Sequence, residues 1–323
     1  MGIAGLLPLF KSVMEPIHVR ELRGQRVGID TYSWLHKAAF SCAKELALGE
    51  PTTRHINYVL TRAEMLRSYG VTPVLVFDGG PLPSKKTTND KRATQRAEKK
   101  QLGMEHLKRG NMAAAIECFQ SCISITPEIV RQTIDALQRR NIEYMVAPYE
   151  ADAQLVYLEK IGFISAIITE DSDMIVFGAI RLVLKMDKEG SAVQFNRELM
   201  WSTSDIDLKQ WNSDKFRKMC ILSGCDYLPN IPGIGLKRAH GLMIKFGWNV
   251  NRIVGELSSA KKTAQHVPIN YLDEFDRAEL TFLHQRVYDP FAQDLAHLHP
   301  LPPALHWMNS SYRMGHFNEC YPD

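Results

Sequence analysis

Pro148-Tyr149-Glu150-Ala151-Asp152-Ala153-Gln154 and, a connecting segment later, Ala166-Ile167-Ile168-Thr169-Glu170-Asp171-Ser172-Asp173 carry two acid pairs around a short apolar run. An unpaired carboxylate is costly to bury. Several acids facing one another repel unless a cation sits among them. The run from Ile164 to Thr169 reads as a buried parallel strand that ends in acids. Pro148 marks a helix start, so Glu150 and Asp152 converge only if the first of them has non-helical dihedrals. In extended chain, Asp171 and Asp173 point the same way.

Working outward, Arg26 to Asp30 and Pro73 to Phe77 read as further strands, the first ending at Asp30 and the second running into Asp78. Glu143 to Ala147 is a short strand, and Arg181–Met186 with Ala192–Asn196 is a hairpin turning at Asp187-Lys188-Glu189-Gly190. Helical spacing covers Tyr32 to Leu48, Arg54 to Tyr69, Lys85 to Leu107, Asn111 to Phe119, Pro127 to Arg140, Glu150 to Ile161, and most of the chain after Ser213. Alternating strands and helices predict an α/β fold: a central, mostly parallel sheet with helices on both faces. In such sheets sites form at the carboxyl ends of the strands. Asp30, Asp78, Asp171 and Asp173 all stand there. Each alone also suits a turn or helix cap; together they point to one site.

Asp226, after the apolar helix end Met219 to Leu222, completes seven candidates: Asp30, Asp78, Glu150, Asp152, Asp171, Asp173 and Asp226. All are oxygen donors, which favours Mg2+ or Mn2+ over zinc. So many acids suggest two ions about 4 Å apart, the arrangement of phosphoryl-transfer nucleases. The six cysteines form no metal-binding spacing and are expected to be reduced.

The 323 residues carry a net charge of only +3, yet Lys85 to Lys100 packs seven basic residues against two acids. Acidic knots beside a basic segment are the pattern of a protein that holds cations and lies along phosphates. Pro232-Gly233-Ile234-Gly235 opens a helix whose first residues include Lys237 and Arg238. Its amides and charges suit a backbone phosphate. Neither a secretory start nor an apolar run of spanning length is read, and no membrane association is expected.

These pieces resemble, in order, the structure-specific 5′-nuclease family of flap endonucleases, XPG-type repair nucleases and exonuclease one. The matching pieces are Met1 to Leu6, Val27 to Asp30, Val76 to Gly79, Ala147 to Gln154, Ile168 to Asp173 and Ser223 to Pro229. The segments Asp30 to Lys37, Leu82 to Lys86, Leu184 to Asp187 and Phe216 to Leu228 are most similar to the exonuclease one group. The resemblance implies a PIN/resolvase-like nuclease domain over 1–300. It would hold an N-terminal region (1–99), a helical arch (80–140), an internal region (141–235) and a helix-two-turn-helix element (214–247), leaving 301–323 unassigned.

It also implies a Mg2+-dependent 5′→3′ double-strand exonuclease with 5′-flap endonuclease activity, acting in the nucleus in DNA repair and recombination, mismatch repair and end resection included. Alternatives are a dedicated flap endonuclease and a DNA-end-binding protein without catalysis. The implied partner is double-stranded DNA with 5′ ends, nicks, gaps or flaps, bound by a monomer; no sliding-clamp-binding pattern is found. Tyr32 and His36 would meet the bases at a frayed end. Lys85 and Arg92 would stabilise the scissile phosphate, with Arg96 on nearly the same face. Gly2, Gly233, Gly235, Lys237 and Arg238 would contact DNA. A K+ ion would be held near Ser223, Ile231 and Gly233. Whether Glu150 and Asp152 both touch metal, or one acts through water, stays open.

Overall fold

The structure, a computed structural model, describes residues 2–260 and 263–303. Of the tail 301–323, left unassigned from sequence, residues 304–323 with Trp307 lie outside the described residues. Strands β1 (Met14–His18), β2 (Arg26–Asp30), β3 (Thr72–Phe77), β4 (Glu143–Val146), β5 (Ala166–Ile168), β6 (Arg181–Leu184) and β7 (Ser191–Asn196) form one sheet in the order β1-β7-β6-β5-β2-β3-β4. From β6 to β4 every neighbouring pair is parallel; β7 runs antiparallel to both β6 and β1. β2 lies at the switch point. The chain leaves it toward β3 and β4, then returns to add β5 on its other side. A crevice therefore opens at the carboxyl ends of β2 and β5.

The strand sequences explain the layers. Side chains alternate across the sheet. Ile29, Leu75, Phe77 and Ile168 pack on one face with Leu35, Val59 and Leu137 from the helices Thr31–Ala39, Arg54–Ser68 and Pro127–Arg139. Val74, Val76 and Ile167 pack on the other with Leu155, Ile175, Met219 and Phe275, from the helices Ala151–Lys160, Asp173–Phe177, Ser213–Ser223 and Tyr271–His284. The doubly covered sheet expected from sequence is present. Lys86–Lys108 and Met112–Ser121 pair as an antiparallel-looking helical arm beside it, joined by the short turn 109–111. Among the described residues no helix is long and apolar enough to cross a membrane.

Four elements depart from the sequence reading. β1 was not expected: its Pro16 and charged Glu15 obscure a strand, but an edge position tolerates both. The single helix from Tyr32 to Leu48 is two, Thr31–Ala39 and Ala43–Leu48, broken by a 3-10 turn at Phe40–Cys42. The chain at 171–173 is not extended: Ser172 has helical dihedrals and Asp173 opens the helix Asp173–Phe177. Beyond Ser213 the chain is not helical throughout, because Arg286–Asp289 (β8) and Asp294–His297 (β9) form a small antiparallel hairpin. The five described cysteines are free.

Candidate active site

Asp30 ends β2 and caps the next helix. Its Oδ1 accepts from Ser33 N–H (3.3 Å), while Oδ2 accepts from the Ser33 hydroxyl and from Thr169 Oγ1 (2.9 Å) across the crevice. Asp78, just past β3, accepts at Oδ1 from the Ala151 N–H at 2.7 Å. It thus caps the helix that carries Asp152. The loops behind β3 and β4 are laced together for this: Gly79 and Gly80 donate to the carbonyls of Tyr149 and Pro148. A Cβ on Gly79 would stand 1.9 Å from the Ala147 carbonyl oxygen, so only glycine permits the approach.

Glu150 has extended dihedrals and sits at the N-cap of Ala151–Lys160, as its pairing with Asp152 required. Its carboxylate is buried and accepts from Lys85 Nζ (2.7 Å), Gln285 Nε2 (2.9 Å) and the Tyr227 hydroxyl. Asp171 Oδ1 accepts from Asp173 N–H (3.0 Å), and Asp173 Oδ1 accepts from Ile3 N–H (2.9 Å). The two acids thus approach through a helix-start turn. Gly2, with φ +84°, packs over them: a Cβ there would come within 2.3 Å of Asp171 Oδ1. Asp226 accepts from Lys85 Nζ (2.8 Å) and Arg92 Nη2 (2.6 Å), and the Thr88 hydroxyl donates to its backbone carbonyl (2.7 Å).

The electrostatics follow from burial among like charges. Burial, then Glu150 and Asp30, pushes Asp78 up to about 7. Burial, with Asp171, Asp30 and Glu150 adding to it, holds Asp152 well above the ordinary carboxylate range. Burial and then Asp171 and Asp226 do the same to Asp173, and burial and Asp30 raise Asp171. Asp226 differs. Burial pushes it up too, but the Lys85 and Arg92 charges win and hold it low. Burial works against the Lys85 ammonium, yet Glu150, Asp226 and Asp152 raise it far into the charged range. Among the described residues no three acids, imidazoles or thiols converge tightly enough to grip one cation as they stand. The cluster is one of repelling carboxylates in electrostatic reach, with Lys85 and Arg92 partly neutralising one edge.

A cavity of about 420 Å³ opens over this cluster. Asp30, Asp78, Glu150, Asp152 and Asp171 line it from the sheet side, and Lys85, Arg92 and Arg96 from the basic arm. Tyr32 and His36 line it as well. Burial and then Asp78 push the Tyr32 phenol up to about 12; burial, reinforced by Arg96 and Arg92 against Asp30, keeps the His36 imidazole low and neutral. Lys85 stands at the N-cap of Lys86–Lys108, one residue outside the helix expected to contain it, and still reaches the acids. Asp173 and Asp226 do not line the cavity; each touches it through a neighbour.

Away from the cleft, Ser213–Ser223 and Leu236–Lys245 pack as a pair, joined by the loop 224–235. Buried Ile231 and Ile234 pin the loop, leaving Gly233, Gly235, Lys237 and Arg238 exposed. Gly235 caps the second helix with no side-chain acceptor, so its first amides point outward. The Ser223 hydroxyl donates to the Cys220 carbonyl (2.7 Å), Ile231 O accepts from Ile234 N–H (2.9 Å), and Gly233 O faces Arg238 Nη1 at 3.4 Å.

Sequence reasoning missed Ser33, Thr169, Thr88, Tyr227 and Gln285. Tyr227 stands next to Asp226 and Thr169 two before Asp171, so adjacency to the acids could have found them. Gln285 carried no local signal.

Residues 1–99 match the XPG N-terminal domain and residues 141–226 the XPG I-region. Exonuclease 1 of Arabidopsis thaliana is 50% identical over 298 residues, covering 92% of this chain and 40% of that relative. Exodeoxyribonuclease 1 of Schizosaccharomyces pombe is 44% identical over 300 residues, 93% of this chain and 52% of its own. The DNA damage-inducible protein DIN7 of Saccharomyces cerevisiae is 33% identical over 306 residues, 94% of this chain and 70% of that protein. The chain thus spans about two-fifths of the Arabidopsis relative and about half of the fission-yeast one. In fold it is similar to the catalytic core of Rad2 in complex with a DNA substrate (TM-score 0.60, 20% identity, 89% of this chain and 82% of that one). It is also similar to flap endonuclease-1 from Methanococcus jannaschii (TM-score 0.56, 24% identity, 84% and 83%). With two family models in register and relatives matched along nearly its whole length, the chain belongs to the XPG family of structure-specific 5′-nucleases, alongside the exonuclease 1 proteins.

Proposed function

We propose that the chain hydrolyses DNA phosphodiesters from a 5′ end, 5′→3′ along double strands, and also cuts 5′ flaps, in nuclear DNA repair. The observation that carries this reading is the single cleft in which a carboxylate wall on the sheet faces Lys85, Arg92 and Arg96 on the arm. Nucleases of this family depend on a divalent metal. The donor chemistry fits one: every candidate is carboxylate oxygen, and burial of mutually repelling acids favours a cation among them. Asp30, Asp78, Glu150, Asp152, Asp171, Asp173 and Asp226 would hold two Mg2+ ions, with Mn2+ able to substitute. When bound, these supply activation of water and stabilisation of charge on the phosphoryl group.

The chain's own residues do the rest. Lys85 and Arg92 exchange their carboxylate partners for the scissile phosphate and stabilise the charge that develops there. Tyr32 and neutral His36 offer faces for the frayed terminal bases, which Arg96 accompanies. Gly2 holds the turn of Asp171 and Asp173. The amides at Gly233 and Gly235, with Lys237 and Arg238, grip duplex backbone independently of sequence. A K+ ion on Ser223, Ile231 and Gly233 would complete that grip. The domain reading, with the arch at 80–140 and the helix-two-turn-helix at 214–247, assigns these roles to separate parts of one unit, acting as a monomer.

The test is degradation of 5′- and 3′-labelled duplexes by the pure protein in Mg2+. Mononucleotides released from recessed 5′ ends, with cleavage of a 5′ flap, are expected. A recessed-end rate far below the flap rate would make the protein a dedicated flap endonuclease. Binding without any cleavage would overturn catalysis.

A further inference from the structure

We propose that Gln285 is a positioning residue for the carboxylate site, holding Glu150 from outside the two segments that match the family models. Gln285 follows the helix Tyr271–His284 and is buried, 4% exposed. Its amide grips Glu150 twice. Nε2 donates to Glu150 Oε2 at 2.9 Å, and Oε1 accepts from Glu150 N–H at 3.2 Å. One side chain thus fixes both the carboxylate and the backbone of the residue that starts Ala151–Lys160. The Glu150 N–H has no partner within its own helix, since it precedes the first turn. A side chain that satisfies it while ordering the carboxylate orients a candidate ligand, as outer-shell partners do.

The contact belongs to a strap. From Gln285 to Asp289 the chain runs along Ala151–Lys160. Gln154, fully buried, donates to Tyr288 O (2.8 Å) and accepts from Tyr288 N–H (2.7 Å); the Tyr157 hydroxyl donates to Asp289 Oδ2 (2.9 Å). The Gln154 contacts bind the strap to the helix without touching an acid of the cleft. The Gln285 contacts described here reach a cleft acid as well, and this separates positioning from mere attachment. Nε2 also shares Glu150 Oε2 with the Tyr227 hydroxyl, so that oxygen is directed into the protein while Oε1, on Lys85, faces the cleft.

The inference rests on Glu150 being part of a divalent-metal site, so the wild-type protein is measured first. Mn2+ binding to the DNA-free full chain is followed by titration calorimetry, and cleavage is followed against Mg2+ concentration. Gln285→Met, of similar size but without the amide, is compared with Gln154→Met, and each variant's melting temperature is recorded. Gln285→Met is expected to weaken Mn2+ binding about tenfold and to raise the half-saturating Mg2+ by a similar factor. Its rate at saturating Mg2+ should fall much less. Gln154→Met should lower the melting temperature and leave Mn2+ binding within about twofold. Equal loss of Mn2+ affinity in both variants, or unchanged affinity in Gln285→Met, overturns the inference. If wild-type protein neither binds Mn2+ nor cleaves, the functional reading itself fails. If Gln285→Met does not fold, Gln285→Asn, which keeps the amide but shortens its reach to Glu150, is measured in its place with the same expected loss.

Discussion

The two walls of the cleft are built on opposite principles. The acid wall belongs to the sheet and the helix starts that follow it: Asp30 and Glu150, which line the cleft, and Asp173 behind it are each under 9% exposed, with Asp30 placed by strand register and the other two by helix starts. The basic wall belongs to the helix Lys86–Lys108, in which Gly103 alone is buried among the described residues. At the cleft that helix is attached by Lys85 and Arg92 to Glu150 and Asp226, and by Thr88 to the Asp226 carbonyl. Packing fixes one wall; charge holds the other in place. A rigid acid wall suits reacting groups that tolerate little displacement. A wall held by ion pairs can change partners when phosphate arrives.

The largest effect should come from the packed wall. Asp171→Ala or Asp173→Ala should lower cleavage by more than about 100-fold, beyond the range of outer-shell losses, while DNA affinity in a gel-shift assay stays near wild type. A near-normal rate in either variant would remove these acids from the metal site. Next is the charged wall. Arg92→Ala should lower the single-turnover rate by about 10²-fold, the loss for one charge-stabilising donor. An unchanged rate would place Arg92 on a solvated face.

The smallest effect sharpens the contrast in stability rather than rate. Asp78 is raised from 3.8 to about 7. Below both values it is protonated whether the chain is folded or not. As pH rises from about 4 to about 7 the unfolded chain ionises there first, so stability falls, and the contribution is fully lost above 7. In chelator, Asp78→Asn should therefore melt higher than wild type by a few degrees at pH 8, at roughly 2–4 °C per kcal/mol. The gap should shrink toward pH 5. A gap that does not vary with pH between these values would mean that Asp78 is not held protonated by burial and its acidic neighbours.

Much of this was legible because it depends on local pattern and one topological rule. Strand β2 ends in Asp30 and β3 runs straight into Asp78, aspartates that the rule for open α/β sheets sends to one edge, and Pro148 marked the helix start that lets Glu150 join Asp152. What was hidden depends on distance in the chain. No periodicity ties Gln285 to Glu150. β1 was masked by Pro16, which is admissible only because the strand lies at an edge. The turn at Asp171–Asp173 was read as extended because alternation alone cannot distinguish an extended pair from a helix start; the N–H of Asp173 bonding back to Asp171 decides it.

The reach of Gln285 back to Glu150, across 135 positions, bears on how the chain is made. Synthesis delivers the N-terminal part first, and chains fold as they emerge. β2, β3 and their covering helices can assemble early. Glu150, however, gains its full set of partners only once Tyr227 and then Gln285 have been synthesised. The order of synthesis thus leaves completion of the Glu150 environment to a residue beyond both segments that match the family models.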